Sequence, residues 1–261
     1  MKNKTPDFAY HMTKFFTEYL PIQRNLSPNS IATYRDTFRL LLLFYDTEKH
    51  IKPNLLTLDM LNVQQIEDFM LWLKKERNCG ASTCNQRLGA LKSFFRYLQF
   101  ALPDCALQCQ ENLAIRPMKQ PEPGLKYLTI DGIKLLLEQP DIKTKYGRRD
   151  LAILSLMYDT GARVQEIADI KIVHIRFSAP ATIRITGKGD KTRVVPLLSR
   201  TEDILKQYIK DFKIDAGGND AYLFQNRSGQ QLSRFGISYI LTKYADMARK
   251  VNPELIPEKL S

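Results

Sequence analysis

The chain has 261 residues, 44% hydrophobic and 26% charged, which is enough material for two domains with buried cores. Its 39 Lys and Arg against 28 Asp and Glu give a net charge of +11 and a pI near 9.4, and that balance favours a polyanionic partner, nucleic acid first. No apolar run is long enough to span a bilayer, and the N-terminus MKNKTPDFAY lacks the apolar region of a secretory signal, so a cytoplasmic protein with no membrane partner is expected.

The first half predicts helices. Phe8, Met12, Phe15, Phe16 and Tyr19 recur with a helical period. In NLSPNSIATYRDTFRLLLLFY, Ser27 suits an N-cap and Pro28 the first helical position, and Ile31, Tyr34, Phe38, Leu41 and Tyr45 form the apolar face that follows. A third helix is expected from about Val63 to Arg77. Gly80 breaks the chain, and Ser82 or Thr83 is expected to cap a fourth helix, Thr83 forming a capping box with Gln86. Leu88, Leu91, Phe95 and Leu98 give that helix its buried stripe.

The polar sides of these helices carry a second signal. Asn85, Lys92 and Arg96 share one face of the fourth helix, with Arg87 and Ser82 near its start; Asn29, Thr33 and Arg35 stand at the start of the second. Asn, Thr, Arg and Lys near a capped helix start suit phosphates and base edges in a DNA groove. The same residues also suit the solvated face of a four-helix bundle. Pro117, Pro121, Pro123 and Gly124 then interrupt any helix, so the chain divides into a helical domain at 1–114, an extended linker at 115–126 and a second domain at 127–261.

The second domain mixes element types. Thr129 caps a helix to about Glu138, a helix from about Gly147 ends at Gly161, and a short helix follows in RVQEIADI. Strands are expected in IKIVHIRF, ATIRIT and TRVVPL, the last two joined by GKGDK, where glycines permit the positive φ of a tight hairpin. Ser199 with Glu202 predicts a capping box for a helix to about Phe212, and Ser233 caps a last helix through Arg249. The fold class is therefore mainly α with a small antiparallel sheet. Cys79, Cys84, Cys105 and Cys109 are spaced too widely for a zinc site, with no histidine near, and are expected as reduced thiols.

The boxes TGARVQE, Thr160 to Glu166, and GKGDKTRVVPL, Gly187 to Leu197, stand in this order behind an N-terminal half carrying LGALKSFFRYL and a proline-bearing linker. Together they resemble the tyrosine site-specific recombinase (phage integrase) family over nearly the whole chain. The resemblance implies a SAM-like core-binding domain followed by an integrase-type catalytic domain. It implies Arg163 as an active-site arginine, Glu166 as the acidic residue that supports it, and Lys188 as the active-site lysine. Lys191 and Arg193 would hold flanking phosphates, and Arg234 and Lys243 would touch the DNA backbone or form a solvated helix face. Such enzymes cut DNA through a 3′-phosphotyrosyl link. A planar guanidinium suits the charged nonbridging oxygens, a lysine can protonate the 5′ leaving oxygen, and neither a metal nor a nucleotide cofactor is required.

The family's later parts, a His-x-x-Arg box and a nucleophilic tyrosine, have no counterpart here. The histidines are His11, His50 and His174, and none follows the hairpin. Tyr222, Tyr239 and Tyr244 are expected to pack on the core rather than act as substitutes. The expectation is a catalytic domain that stops before its last boxes. Such a chain binds recombination sites on duplex DNA, as a dimer or tetramer when full length, without cutting them. The alternative is a non-catalytic DNA-binding regulator or inhibitor of the same descent.

Overall fold

The computed structural model describes residues 7–120, 127–187, 189–214, 218 and 220–258. The chain separates into two compact units, residues 1–123 and 124–261.

In the first unit, α1 (Phe8–Lys14) runs into a wider π-helical stretch, Phe15–Gln23. It is followed by α2 (Pro28–Glu48), α3 (Val63–Lys75), α4 (Ala81–Ala101) and α5 (Ala106–Ala114). Ser27 caps α2 by accepting the Ser30 N–H at 3.3 Å, with Pro28 at the first position as expected. The inward sides of the π-helical stretch, α2 and α4 meet in aromatic packing: Phe15 lies 5.1 Å from Phe94 and 5.9 Å from Phe38 between ring centres. Phe8, Phe15, Phe38, Phe69 and Phe94 are all essentially excluded from solvent. Each such burial contributes on the order of 1.5–3 kcal/mol.

Two expectations for this unit change. The fourth helix is capped neither by Ser82 nor by Thr83. Gly80 adopts the extended capping conformation, its carbonyl accepts the Cys84 N–H at 3.0 Å, and the helix starts at Ala81, so Ser82 and Thr83 fall inside the first turn. α5 has no counterpart among the predicted elements. Its inward positions include Asn112, fully buried, whose amide donates to Leu61 O and Gln108 O, both at 2.9 Å. A buried amide breaks the apolar stripe by which a helix is read from sequence.

The second unit begins with α6 (Ile130–Leu137), capped by Thr129, and α7 (Lys145–Thr160), capped by Thr144. Next come α8 (Val164–Ala168) and an antiparallel meander of β1 (Ile175–Arg176), β2 (Thr182–Thr186) and β3 (Thr192–Pro196). The last helices are α9 (Ser199–Phe212) and α10 (Arg234–Val251), the latter capped by Ser233 through the Gly236 N–H at 3.1 Å. Ile153, Leu156, Ile167, Ile183, Ile185, Leu205, Phe224 and Ile237 form its core. The first expected strand shrinks to two residues. Ile172–His174 turns as a 3-10 helix because the Lys171 N–H is drawn to His174 Nδ1 at 3.2 Å and the Ile172 N–H to Ala221 O at 2.9 Å. Ser199 does not cap α9 either: Leu198 holds that position, with its N–H on Asp159 Oδ2 at 3.0 Å, and Glu202 pairs with Lys206 one turn on.

Candidate functional site

The TGARVQE box is a helix stop followed at once by a helix start. α7 ends at Gly161, whose φ of 56° and ψ of 24° place it in the left-handed region where a side chain is costly. Its N–H closes on Met157 O at 3.0 Å. Two residues later the backbone is extended at Arg163, the N-cap of α8. Glu166, three positions into α8, turns back and accepts the Arg163 N–H on Oε2 at 3.0 Å. Its Oε1 accepts from Arg163 Nη1, also at 3.0 Å. The short loop thus fixes both ends of Arg163, while its side chain stays 74% exposed.

The β2–β3 hairpin supplies the other side. Ile185 pairs with Arg193 and Thr186 with Thr192, and the Gly187 N–H donates to Lys191 O at 2.8 Å. The positive φ of the tip falls on Gly189 (74°) and Asp190 (59°), not on Gly187. Gly187 is needed for a different reason: a Cβ there would lie 2.6 Å from Glu166 Oε1. Lys188, the expected lysine, lies outside the described residues.

Arg193 joins the two parts. Its Nη2 reaches Glu166 Oε2 at 2.8 Å, so one carboxylate holds two guanidiniums. The Glu166 side chain is 5% exposed. Its pKa is held down at about 2, chiefly by the hydrogen bond from Arg193, with the Arg163 backbone and side chain assisting and burial opposing. Two cations and one anion leave the cluster positive, and the exposed fork of Arg163 offers donors to an anion.

The remaining expected contacts divide. Asn29 and Arg35 are exposed on the first turns of α2, where Thr33 donates its hydroxyl to Asn29 O at 3.0 Å. Ser82 and Arg96 are exposed on α4, and Arg87 on the same helix keeps Nε and Nη1 buried without a hydrogen-bond partner. Asn85 and Lys92 serve the chain's own backbone: the Asn85 amide clamps Met118 through bonds of 2.9 and 2.8 Å, and Lys92 Nζ donates to Ile115 O at 2.6 Å. Burial lowers the Lys92 pKa, with Arg96 adding to the effect. Lys191 and Arg234 are exposed, and Lys243 donates to the Tyr244 hydroxyl at 3.2 Å.

Of the tyrosines, Tyr244 is buried as expected, but Tyr239 is 69% exposed, which corrects its assignment to the core. The sequence reasoning also missed a buried ionic network. Arg149 is bonded to Asp150 Oδ1 through Nε (3.0 Å) and Nη2 (2.7 Å), and Tyr244 donates its hydroxyl to Asp150 Oδ2 at 3.0 Å. Its signal was available: the charged triplet Arg148-Arg149-Asp150 runs straight into the apolar stretch Leu151–Met157 of the same helix. None of the four cysteines is joined in a disulfide, and no group of three metal-ligating side chains occurs among the described residues.

Comparison with known proteins follows the same division of the chain. Residues 126–260 match the family model of the phage integrase family, and residues 14–100 match that of the phage integrase N-terminal SAM-like domain. The y4rC protein of Sinorhizobium fredii is 34% identical over 252 residues, covering 97% of this chain and 75% of that one. Tyrosine recombinase XerD of Listeria innocua is 30% identical over 250 residues, covering 92% and 80%. Among solved structures, XerH site-specific recombinase bound to difH substrate superposes with a TM-score of 0.65 at 19% identity, covering 99% of this chain and 76% of that one. The Tn1549 transposon integrase in complex with a circular intermediate DNA gives 0.70 at 12% identity, covering 99% and 83%. These two likenesses establish the fold.

Proposed function

Because the chain belongs to the phage integrase family of tyrosine recombinases, we propose that its second unit grips a DNA phosphodiester with Arg163, the residue that its surroundings hold most deliberately. One observation carries this reading. Glu166 is buried, ionised and bonded to both the backbone and the side chain of Arg163, while the guanidinium fork stays open to solvent. An arginine with a merely structural task spends its donors inside the protein; this one keeps them available.

On this reading residues 1–114 form the core-binding domain, 115–126 the linker and 127–261 the catalytic domain. Asn29, Thr33, Arg35, Ser82, Arg87 and Arg96 face DNA from α2 and α4, and Lys191, Arg234 and Lys243 add backbone contacts from the second unit. Arg163 neutralises the nonbridging oxygens, and Lys188 gives its proton to the 5′ oxygen as the phosphorus–oxygen bond breaks. The attacking tyrosine of the family belongs with a His-x-x-Arg box, and no histidine follows His174 in these 261 residues. Residues 1–261 alone therefore bind duplex DNA, as two or more copies on paired half-sites, and leave it uncut. A non-cleaving regulator of the same descent would bind equally well but gains nothing from a buried carboxylate dedicated to Arg163.

The test is retention and trapping with a pool of singly nicked random duplexes. Retention at low salt without a protein–DNA adduct that survives denaturation is expected. A covalent adduct overturns the claim that these residues do not cut, and absence of retention overturns the DNA reading.

A further inference from the structure

We propose that Arg193 is a positioning residue: through the Glu166 carboxylate it ties the β2–β3 hairpin to the Arg163 loop, so the two move as one unit. The functional meaning of this latch rests on the recombinase reading. Its existence does not.

Glu166 has two oxygens and three charged or polar donors on them. Arg163 supplies its own N–H and Nη1 from the start of α8, and Arg193 supplies Nη2 from β3. Among the described residues the Arg163 guanidinium has no hydrogen-bond partner other than Glu166. Whatever holds Glu166 therefore holds Arg163. The hairpin meets the same carboxylate a second time at Gly187, where an added Cβ would stand 2.6 Å from Oε1 and force one of the two to shift. Two points of contact from each side make a joint with little play.

The hairpin itself has no need of Arg193. Five residue pairs from Thr182↔Pro196 to Thr186↔Thr192 already fix its register. The guanidinium leaves the sheet, 40% exposed, to reach a buried acid 27 positions back in sequence. The charge count gives the arrangement a consequence. Arg163 and Glu166 alone sum to zero, whereas the addition of Arg193 leaves one positive charge beside the exposed fork. Removing Arg193 thus loosens Arg163 and also lets Glu166 neutralise it, and both changes weaken its pull on an anion.

The experiment compares the 261-residue chain with R193M, R193K and R193Q. Glu166 is titrated by carboxyl NMR, and hydrogen exchange is followed at the Arg163 and Gly187 amides. In the parent, Glu166 is expected to titrate near 2. R193M and R193Q are expected to raise that value by about one unit or more, a tenfold weaker acid, and to speed exchange at both amides; R193K is expected to restore most of the titration. R193Q serves where R193M fails to fold. Faster exchange at Gly187 with the Arg163 amide and the Glu166 titration unchanged overturns the proposal, because Arg193 then serves the hairpin alone. None of these readouts involves DNA. A chain with the expected latch that does not retain duplex DNA refutes the recombinase reading and leaves the latch standing.

Discussion

Replacing Glu166 by Gln keeps the shape and removes the charge on which Arg163 and Arg193 converge. The folded pKa of about 2 lies some 2.5 units below the ordinary value of 4.5. At about 1.4 kcal/mol per unit this corresponds to an upper figure of roughly 3 kcal/mol of stability at neutral pH. The Arg163 and Arg193 side chains are 74% and 40% exposed, and solvent screening reduces the figure to about 2 kcal/mol. Because the folded pKa is depressed, this contribution is fully present above about pH 4.5 and is lost as the pH falls towards 2. Thermal unfolding followed by far-UV circular dichroism should show E166Q melting roughly 6–10 °C below the parent at pH 7. The gap between the two should close between pH 4.5 and 2. Trp72, the chain's one tryptophan, sits in the first unit and should report an unchanged transition there. A gap below about 0.5 kcal/mol at pH 7, or one that persists undiminished near pH 2, would refute the reasoning.

The two hairpin glycines should separate cleanly. G187A pushes a methyl group to 2.6 Å from Glu166 Oε1 and should raise the Glu166 titration, whereas G189A, with open space but a φ of 74°, should cost about 1–2 kcal/mol of strain and leave that titration in place. In the first unit, N85A removes both bonds to Met118, at a cost of about 1–3 kcal/mol, and should hasten tryptic cleavage after Lys119; an unchanged rate would show that the clamp holds nothing. Y244F withdraws the hydroxyl that bonds the buried Asp150, itself 4% exposed, and should destabilise the second unit by about 1.5–3 kcal/mol in urea titrations followed by circular dichroism.

What the sequence reveals here is what neighbouring residues decide between themselves. Ser27, Thr129 and Ser233 were legible as caps because each bonds a backbone N–H three residues on. Gly161 was legible as a stop for the same reason of range, whereas the Arg163–Glu166 pair was legible through the resemblance of its box. The failures are tertiary. Gly80 displaced Ser82 and Thr83 as a cap because the helix begins two or three residues earlier, at Ala81. Arg193 read as a phosphate contact because nothing in the hairpin's own strands shows that Glu166 lies beside it. Asn85 and Lys92 read as groove residues, yet their partners, Met118 and Ile115, lie 33 and 23 positions away. Tyr239 is a different kind of miss, since it stands about 200° round α10 from Ile237, away from the buried face, and the helical period alone places it outward.

The central claim is that Arg163 holds a phosphate, and salt-dependent binding tests it most directly. A generic duplex is titrated with the parent chain and with R163A across a range of salt concentrations. Affinity should fall linearly with salt on logarithmic axes, and R163A should bind more weakly with a slope shallower by about one unit, the signature of one lost phosphate contact. Equal slopes and equal affinities for the two proteins would contradict the claim.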